Sequence, residues 1–313
     1  MFTSRTLFLI VSTALIPLTA CDLCCLSTID GYNHGTGWAA GVGLRISQLD
    51  HIEVDGVTMD NPENQYLTSF NLQATLAYQF DEHWSLQAIL PYIHRSFRRV
   101  EGGEIESGKE TGFGDAVLAV SGSVMCGAGK NRSIFIATAG LKLPSGNSDR
   151  LAEEGNEVPA PPGSAESAVH GHDLALGSGS WDGVFAIGGR TMHGHWFASA
   201  DLQYTLRTEG DHHFRYGNDF IWSAGPGYQV LPGEEVSTGI QALISGETKA
   251  EDTANNERST DTALTAWYVG AVVTLTSENI TGDIGVDLPI AIDNSGIQAV
   301  PTWRARASVA YFW

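Results

Sequence analysis

Acidic and basic residues recur at even spacing along the last part of the chain. In the segment DIGVDLPI, Asp283 and Asp287 are four residues apart. In WRARASVAYFW, Arg304 and Arg306 are two residues apart. Residues separated by an even number lie on one face of a β-strand, and opposite charges on adjacent strands come within reach of each other. Rings of charged side chains also set the selectivity of pores. The pattern therefore predicts a polar face with paired charges that filters solutes as a consequence.

Histidine and cysteine residues are the candidates for metal or redox chemistry. The histidines lie in separate short groups, such as HGH at 170–172 and DHH at 211–213. Imidazole and carboxylate groups bind several transition metals, but no group has the spacing of a structural zinc site, and we expect solvated loop residues. The cysteines allow a disulfide, with thiolate metal binding as the alternative. They are Cys21, Cys24, Cys25 and Cys126. The stretch LTAC at 18–21 also resembles a lipobox, in which Cys21 is lipidated, but simple cleavage before Cys21 fits better.

Evidence for an enzyme is weak. His94 and Ser96 share one face of a candidate strand, and some outer-membrane barrels are hydrolases with Ser and His on the outer face. However, the sequence has no Gly-x-Ser-x-Gly elbow, no HExxH motif and no phosphate-binding loop. We therefore expect neither catalysis nor a cofactor.

The elements that must position these residues are strands. In YLTSFNLQATLAYQF, residues 66–80, apolar and polar residues alternate strictly over a length greater than that of most globular strands. We identify twelve such segments and no convincing helical period. The predicted strands are 36–47, 66–80, 83–97, 112–124, 133–143, 181–190, 195–207, 216–230, 235–246, 262–275, 280–292 and 300–313.

The connections alternate between long loops, such as DHIEVDGVTMDNPENQ, and tight turns, such as the one at Asp81-Glu82. A lipocalin-like soluble barrel is the rival interpretation. Long strands, aromatic residues near strand ends and this loop asymmetry favour an all-β, antiparallel transmembrane barrel of about twelve strands, with its apolar side in outer-membrane lipid. An even strand number places both termini at the periplasmic end. The polar faces then supply lumen-lining candidates: Arg45, Asp201, Arg207, Asp219, Asp283, Asp287, Arg304 and Arg306.

Composition and the N-terminus fit an exported protein. The chain has 313 residues and a formal net charge of -19, which argues against nucleic-acid binding. Residues 1–20 have the basic, apolar and small-residue regions of a signal peptide. We expect a periplasmic, cysteine-containing segment at 21–35 and the barrel at 36–313, in the outer membrane of a Gram-negative-type bacterium.

Three glycine-rich motifs carry a family resemblance: GFGD at 112–115, GLKLPSG at 140–146 and LGSGSWD at 176–182. In this order, and with an aromatic C-terminus, they resemble the outer-membrane barrel family of the MetA pathway of phenol degradation. The start CDLC is similar to a subset of that family with an N-terminal CxxC. The resemblance implies a porin-like or transporter-like role for small molecules, with aromatic or other apolar compounds as the expected class. On physical grounds we expect Asp115, Pro144 and Asp182 to serve in turns.

The chain ends in ASVAYFW, with Tyr311, Phe312 and Trp313 as its last residues. Aromatic rings are favoured at a membrane interface, and a C-terminal aromatic residue resembles the signal read by the outer-membrane assembly machinery. The leading hypothesis is a channel for a small-molecule solute. The alternative is a non-conducting barrel that handles metal or redox chemistry through CDLCC and the histidine-containing loops.

Overall fold

The structure is a computed structural model that describes residues 36–129, 131–154, 161, 165–232 and 236–313. Twelve long strands form the wall. They are β1 (Gly37–Val54), β3 (Tyr66–Gln79), β4 (Trp84–Glu101), β6 (Val117–Ala128), β7 (Asn131–Lys142), β8 (Asp182–His193), β9 (Trp196–Leu206), β11 (Asp219–Pro232), β12 (Val236–Lys249), β15 (Leu264–Ser277), β16 (Ile280–Asn294) and β17 (Ile297–Phe312). Five shorter strands lie in the loops: β2 (Val57–Met59), β5 (Glu104–Phe113), β10 (Phe214–Arg215), β13 (Asp252–Ala254) and β14 (Glu257–Ser259).

The long strands pair with their sequence neighbours in antiparallel order, and β17 pairs with β1 to close the barrel. The seam runs from Ala39 opposite Phe312 to Val54 opposite Ile297, with a register shift on each side of Leu49. Closure leaves no strand edge, so the wall satisfies its own backbone hydrogen bonds. The predicted twelve-stranded antiparallel barrel is therefore confirmed.

The two ends of the barrel differ. Both ends of the wall sequence, Gly37 and Phe312, lie at the end with the tight turns, which we call the periplasmic end by analogy with outer-membrane barrels. The opposite, extracellular end carries the long connections and the short turn between β16 and β17. The predicted turn at Asp81-Glu82 is present, and the Asp81 carboxylate accepts backbone hydrogen bonds from His83 and Trp84.

Several predicted loops are in fact extensions of the wall. The segment around Glu104–Phe113 was expected to be a loop, followed by a strand from residue 112, but it forms β5, paired with an extended β4. Gly102 and Gly103 have positive φ values of 58° and 86°, which permits the tight turn between them. The next wall strand begins only at Val117, because Asp115 leaves the sheet for other partners described below.

The wall separates an apolar outside from a polar inside. In β3 the inward residues Asn71, Gln73 and Thr75 are buried, while Leu76 on the other face is 46% exposed. Exposed aromatic residues lie near the periplasmic end, as expected for an interfacial girdle. They include Trp38, Phe80, Trp84, Phe135, Trp196, Tyr228, Tyr311 and Trp313. No helix in the described part of the chain is long and apolar enough to cross a membrane.

The described residues of the connection between β7 and β8, which are 143–154, 161 and 165–181, fold over the extracellular mouth, and we call them the cover. It contains a 3-10 helix (Asp149–Ala152) and one short helix, α1 (Gly171–Leu174). A second 3-10 turn (Asp211–His213) lies in the β9–β11 loop. Leu151 and Leu174 are fully buried by the cover's packing, so the cover is part of the folded barrel.

Candidate functional site: the barrel lumen and its extracellular cover

Charged side chains near the seam form ion pairs on the inner wall. Arg306 Nη1 lies 2.6 Å from Asp287 Oδ2, and the Ser308 hydroxyl donates to the Asp283 carboxylate on the neighbouring strand. Arg45 is also buried on this face. The sequence placed these residues on one polar face, and the structure puts them there. Burying a charge costs free energy, and pairing each charge with an opposite one on the inner wall reduces this cost.

Arg304 bonds a residue that the sequence reasoning missed. Its guanidinium lies 2.7 Å from Glu247 Oε1 on β12, and its plane covers the Tyr268 ring at 4.3 Å. The Tyr268 hydroxyl donates to the same Glu247 oxygen at 2.6 Å. Glu247 lies one residue beyond the predicted end of its strand. Extending the inward parity of Gln241 and Ser245 by two residues would have found it.

The three family-like motifs meet in one buried cluster below the cover. Lys142 Nζ lies 2.6 Å from Asp115 Oδ2 and 2.9 Å from Asp182 Oδ2, and all three side chains are fully buried. The Ser178 hydroxyl donates to Asp115. Only the two aspartates were singled out from the sequence. Lys142 in GLKLPSG lies on the inward face of β7, and this position in the sequence could have identified it as their shared partner.

The cluster continues along the inner wall through Arg207. Its guanidinium contacts Asp182 Oδ2 at 3.2 Å and Asp219 Oδ2 at 2.6 Å. Asp182 also accepts a backbone hydrogen bond from Thr208. Carboxylates and cations therefore alternate around one sector of the barrel, from Asp115 to Asp219, so that each buried charge faces an opposite one.

Asp115 holds the two ends of the cover together. Its Oδ1 accepts hydrogen bonds from the backbone N–H groups of Ser145 and Gly146, and its Oδ2 accepts one from Ser178. The backbone at the two ends is in direct contact as well, because Gly177 N–H donates to Asn147 O at 2.7 Å. The two ends of the cover are thus fastened to each other at its base.

The body of the cover packs on the mouth of the barrel. Leu151, Ala175 and Leu176 form an apolar cluster with side chains of the wall and the β9–β11 loop. Salt bridges add to this contact: Arg150 Nη2 lies 2.7 Å from Glu110 Oε1 on β5, and Arg99 Nη2 lies 2.8 Å from Glu153 Oε2. The cover is attached through its base, an apolar patch and this ion-pair group.

His172 lies at the centre of the cover and is not solvated, so the expectation for His170 and His172 is wrong. These side chains are 5% and 6% exposed. His172 Nδ1 lies 3.0 Å from Glu154 Oε1, and its Nε2 lies 3.4 Å from Asp173 Oδ1. Burial disfavours the imidazolium, but the Asp173 and Glu154 carboxylates raise the pKa of His172 to about 10. Burial opposes ionisation of Glu154 as well, yet His172 lowers the pKa of Glu154 to about 2.

The remaining candidate residues lie apart from this region. Asp201 is on the inner wall beside Ser223, and Pro144 is exposed just after β7. His94 and Ser96 face outward, with His94 Nδ1 at 2.6 Å from Thr111 Oγ1. Cys126 is exposed on β6. The other cysteines, the predicted signal peptide and the segment 21–35 fall outside the described residues, within which no group of three or more His, Cys, Asp or Glu side chains could hold a metal.

The C-terminal residues are the last part of the seam. Tyr311 and Trp313 are exposed on the outer face with ring centroids 5.8 Å apart, whereas Phe312 is buried. The backbones of Trp313 and Trp38 exchange two hydrogen bonds, of 3.0 and 2.9 Å. The final residue therefore participates directly in closing the barrel.

The barrel is similar to known outer-membrane structures. A COG4313 outer membrane channel from Pseudomonas putida F1 matches with a TM-score of 0.65 and 16% identity, over 91% of this chain and 100% of that chain. The β-domain of the Bordetella autotransporter BrkA matches with a TM-score of 0.45 and 13% identity, over 90% and 100%. No family model and no curated protein matches the sequence. At these identities the likeness is one of fold: this chain is built as an outer-membrane-type β-barrel.

Proposed function

We propose that this protein is an outer-membrane channel for small molecules, gated at its extracellular mouth by the cover. The observation that carries the proposal is a closed barrel that combines an apolar outer wall with a charged inner wall. An apolar outer wall suits lipid, and a polar inner wall suits the passage of solutes through it. The structurally similar protein from Pseudomonas putida F1 is itself described as an outer membrane channel.

The proposal extends to the chemical class of the solute. The resemblance of GFGD, GLKLPSG and LGSGSWD to the phenol-degradation family supports small aromatic or apolar compounds as the class. A Gram-negative outer membrane as the location is part of the same proposal.

The cover offers a direct test of conduction. Asn147 O accepts hydrogen bonds from the N–H groups of Leu176 and Gly177, so residues 148–175 can be replaced by a Gly-Gly link without moving the strands. We expect the excised variant to conduct more in planar bilayers than the full chain and to pass solutes faster in liposome-swelling assays. Absence of conductance and swelling in both proteins would contradict the channel.

The solute class needs its own comparison. Proteoliposomes of the excised variant and the full chain should be tested with a small aromatic acid and with an aliphatic acid of equal charge and similar size. Faster entry of the aromatic acid would support the class, and equal entry would indicate a general pore. The variant Arg258→Gln is a matched control, because this side chain is 80% exposed and its ion pair is with Glu251 and not with the cover.

A further inference from the structure

The outer wall carries a groove that the channel function does not use. It lies across β1, β3, β4 and β5 and has a volume of about 720 Å³. Its part nearer the periplasmic end is apolar and is formed by Ile46, Phe70 and Tyr92. Its part nearer the extracellular end is polar and is formed by Gln48, Thr68 and Ser96. These side chains belong to the face that elsewhere contacts lipid.

The polar part of the groove forms rows across the strands. Gln48 lies opposite Thr68, Thr68 opposite Ser96, and Ser96 opposite Lys109. The Thr68 hydroxyl donates to Gln48 Oε1 at 2.7 Å. The row below contains His94, whose Nδ1 lies 2.6 Å from Thr111 Oγ1. Hydrogen-bonding groups therefore line a surface that faces away from the lumen.

The height of these rows identifies their surroundings. Along β3, Thr68 is ten residues from Tyr78, whose ring packs against Trp38 and Phe80 of the periplasmic aromatic girdle. At about 3.3 Å per residue and a strand tilt of about 40°, the two lie about 25 Å apart along the membrane normal, which is about the height of the apolar band. The row of Thr68 and Ser96 is therefore level with the headgroups of the outer leaflet.

The polar rows are a local feature. On the opposite wall, exposed apolar residues continue to the extracellular ends of the strands, as Leu206, Phe220 and Trp267 show. The groove is also bordered by cations, since Lys109 lies opposite Ser96, and Arg98 opposite Tyr66 in the next row. Arg98 Nε donates to Glu63 O, which orients the guanidinium, and its terminal nitrogens bond no group within the described residues. The nearby Asp50 carboxylate is bonded by Gln48 and Thr302, on the far side from these cations.

We propose that this groove binds the phosphorylated sugar headgroup of the glycolipid of the outer leaflet. Arg98 and Lys109 bind the phosphate, because charge-assisted hydrogen bonds to phosphate are strong. Gln48, Ser96 and His94 bond the sugar hydroxyl and amide groups. Ile46, Phe70 and Tyr92 hold the first part of an acyl chain. Apolar and polar groups are thus stacked in the same order as in the lipid.

The test uses the full chain, purified in detergent and stripped of lipid, with lipid A as the probe in native mass spectrometry. We expect a one-to-one complex, and we expect the double variant Arg98→Gln/Lys109→Gln to weaken it about tenfold or more. Ser96→Phe, which fills the groove without changing charge, should weaken it as well. Arg215→Gln/Arg258→Gln is the control, since it removes two exposed cations from other loops and should bind like the wild type.

The outcomes separate cleanly once each variant is shown to be folded by its heat-dependent mobility on a gel. Equal binding by the groove variants and the control would overturn the proposal. Equal binding of phosphatidylglycerol, with the same sensitivity to the variants, would overturn recognition of the sugar. Lipid binding is measured without conduction, so a failure here is independent of the proposed channel.

Discussion

Lys142 donates to Asp115 from a position where both side chains are fully buried, with the ammonium nitrogen 2.6 Å from Oδ2. Asp115 comes from GFGD, Lys142 from GLKLPSG, and their shared neighbour Asp182 from LGSGSWD. Three motifs separated in sequence thus contribute one charged group each to a single cluster. The cluster joins the wall strands β7 and β8 to the base of the cover. One buried contact therefore links all three motifs.

Replacing Lys142 by Met should strongly destabilise the barrel. The substitution keeps most of the length of the side chain but removes the charge between two buried carboxylates, a change that costs about 3–5 kcal/mol in comparable buried pairs. The measurement is the midpoint of heat-induced loss of the fast-migrating folded form on gels. The triple variant Asp115→Asn/Lys142→Met/Asp182→Asn should recover much of the loss. A midpoint for Lys142→Met equal to that of Arg258→Gln would contradict this account.

Gly146→Ala and Gly177→Ala should loosen the cover. A Cβ on Gly177 would lie 2.5 Å from the Gly146 carbonyl carbon, and one on Gly146 would lie 2.8 Å from Gly177 Cα. Because these distances are too short, the backbone at both positions has to move. Overpacking of this kind costs about 1–3 kcal/mol or more. Limited proteolysis should therefore cut the cover faster in either variant. Gly140→Ala in the same motif is the control, since its nearest atom would be a valine methyl group at 3.3 Å.

The alternation of apolar and polar residues was enough to predict the wall. It depends only on the two-residue period of a strand, and it also placed Arg45, Asp287 and Arg306 on one face. The sequence did not predict which charges pair with each other across the lumen. Arg304 bonds Glu247 on a strand that is not its sequence neighbour in the hairpin, and β-barrel curvature, rather than adjacency, sets that contact.

The cover was the main feature that the sequence did not predict. Its residues have no extended period, and HGHDL looks like a polar loop. The burial of His172 arises from contacts with Glu154 and with Tyr216, which lie distant in sequence. Local composition does not encode such contacts. The same holds for β5, whose pairing with β4 depends on two glycines in a turn.

The cover should open at high pH. The pKa of His172 is raised from 6.5 to about 10, so the protonated ring stabilises the closed cover fully below about pH 6.5, and this contribution is lost as the pH rises through about 10. The pKa of Glu154 is lowered from 4.5 to about 2, so its contribution is present above about pH 4.5 and is lost only as the pH falls through about 2. Asp173 and His170 face the same group, and Lys249 lies close enough to oppose its protonation.

The measurement is the rate at which an alkali-tolerant protease cuts the cover between pH 7 and 10.5, normalised to an unstructured peptide at each pH. Wild-type protein should become more susceptible towards pH 10. His172→Gln should be more susceptible at pH 7 and should change less with pH, because the titrating group is gone. A flat profile for the wild type would count against His172 as the group that holds the cover at neutral pH.

The last residues should be needed for assembly, and the structure separates two ways in which they could act. Trp313 pairs with Trp38 through the backbone, and Phe312 packs its ring against Ala39, Ala77 and Ala310 on the inner side. Deleting 311–313 removes both contacts, and we expect it to block insertion, as judged by the amount of heat-modifiable protein in outer-membrane fractions.

A single substitution separates recognition of the side chains from closure of the seam. If the assembly machinery reads the aromatic side chains, Trp313→Ala, which keeps the backbone pairing, should slow insertion in cells while leaving refolding into detergent micelles unchanged. Equal loss in both settings would instead assign the tail to seam closure alone.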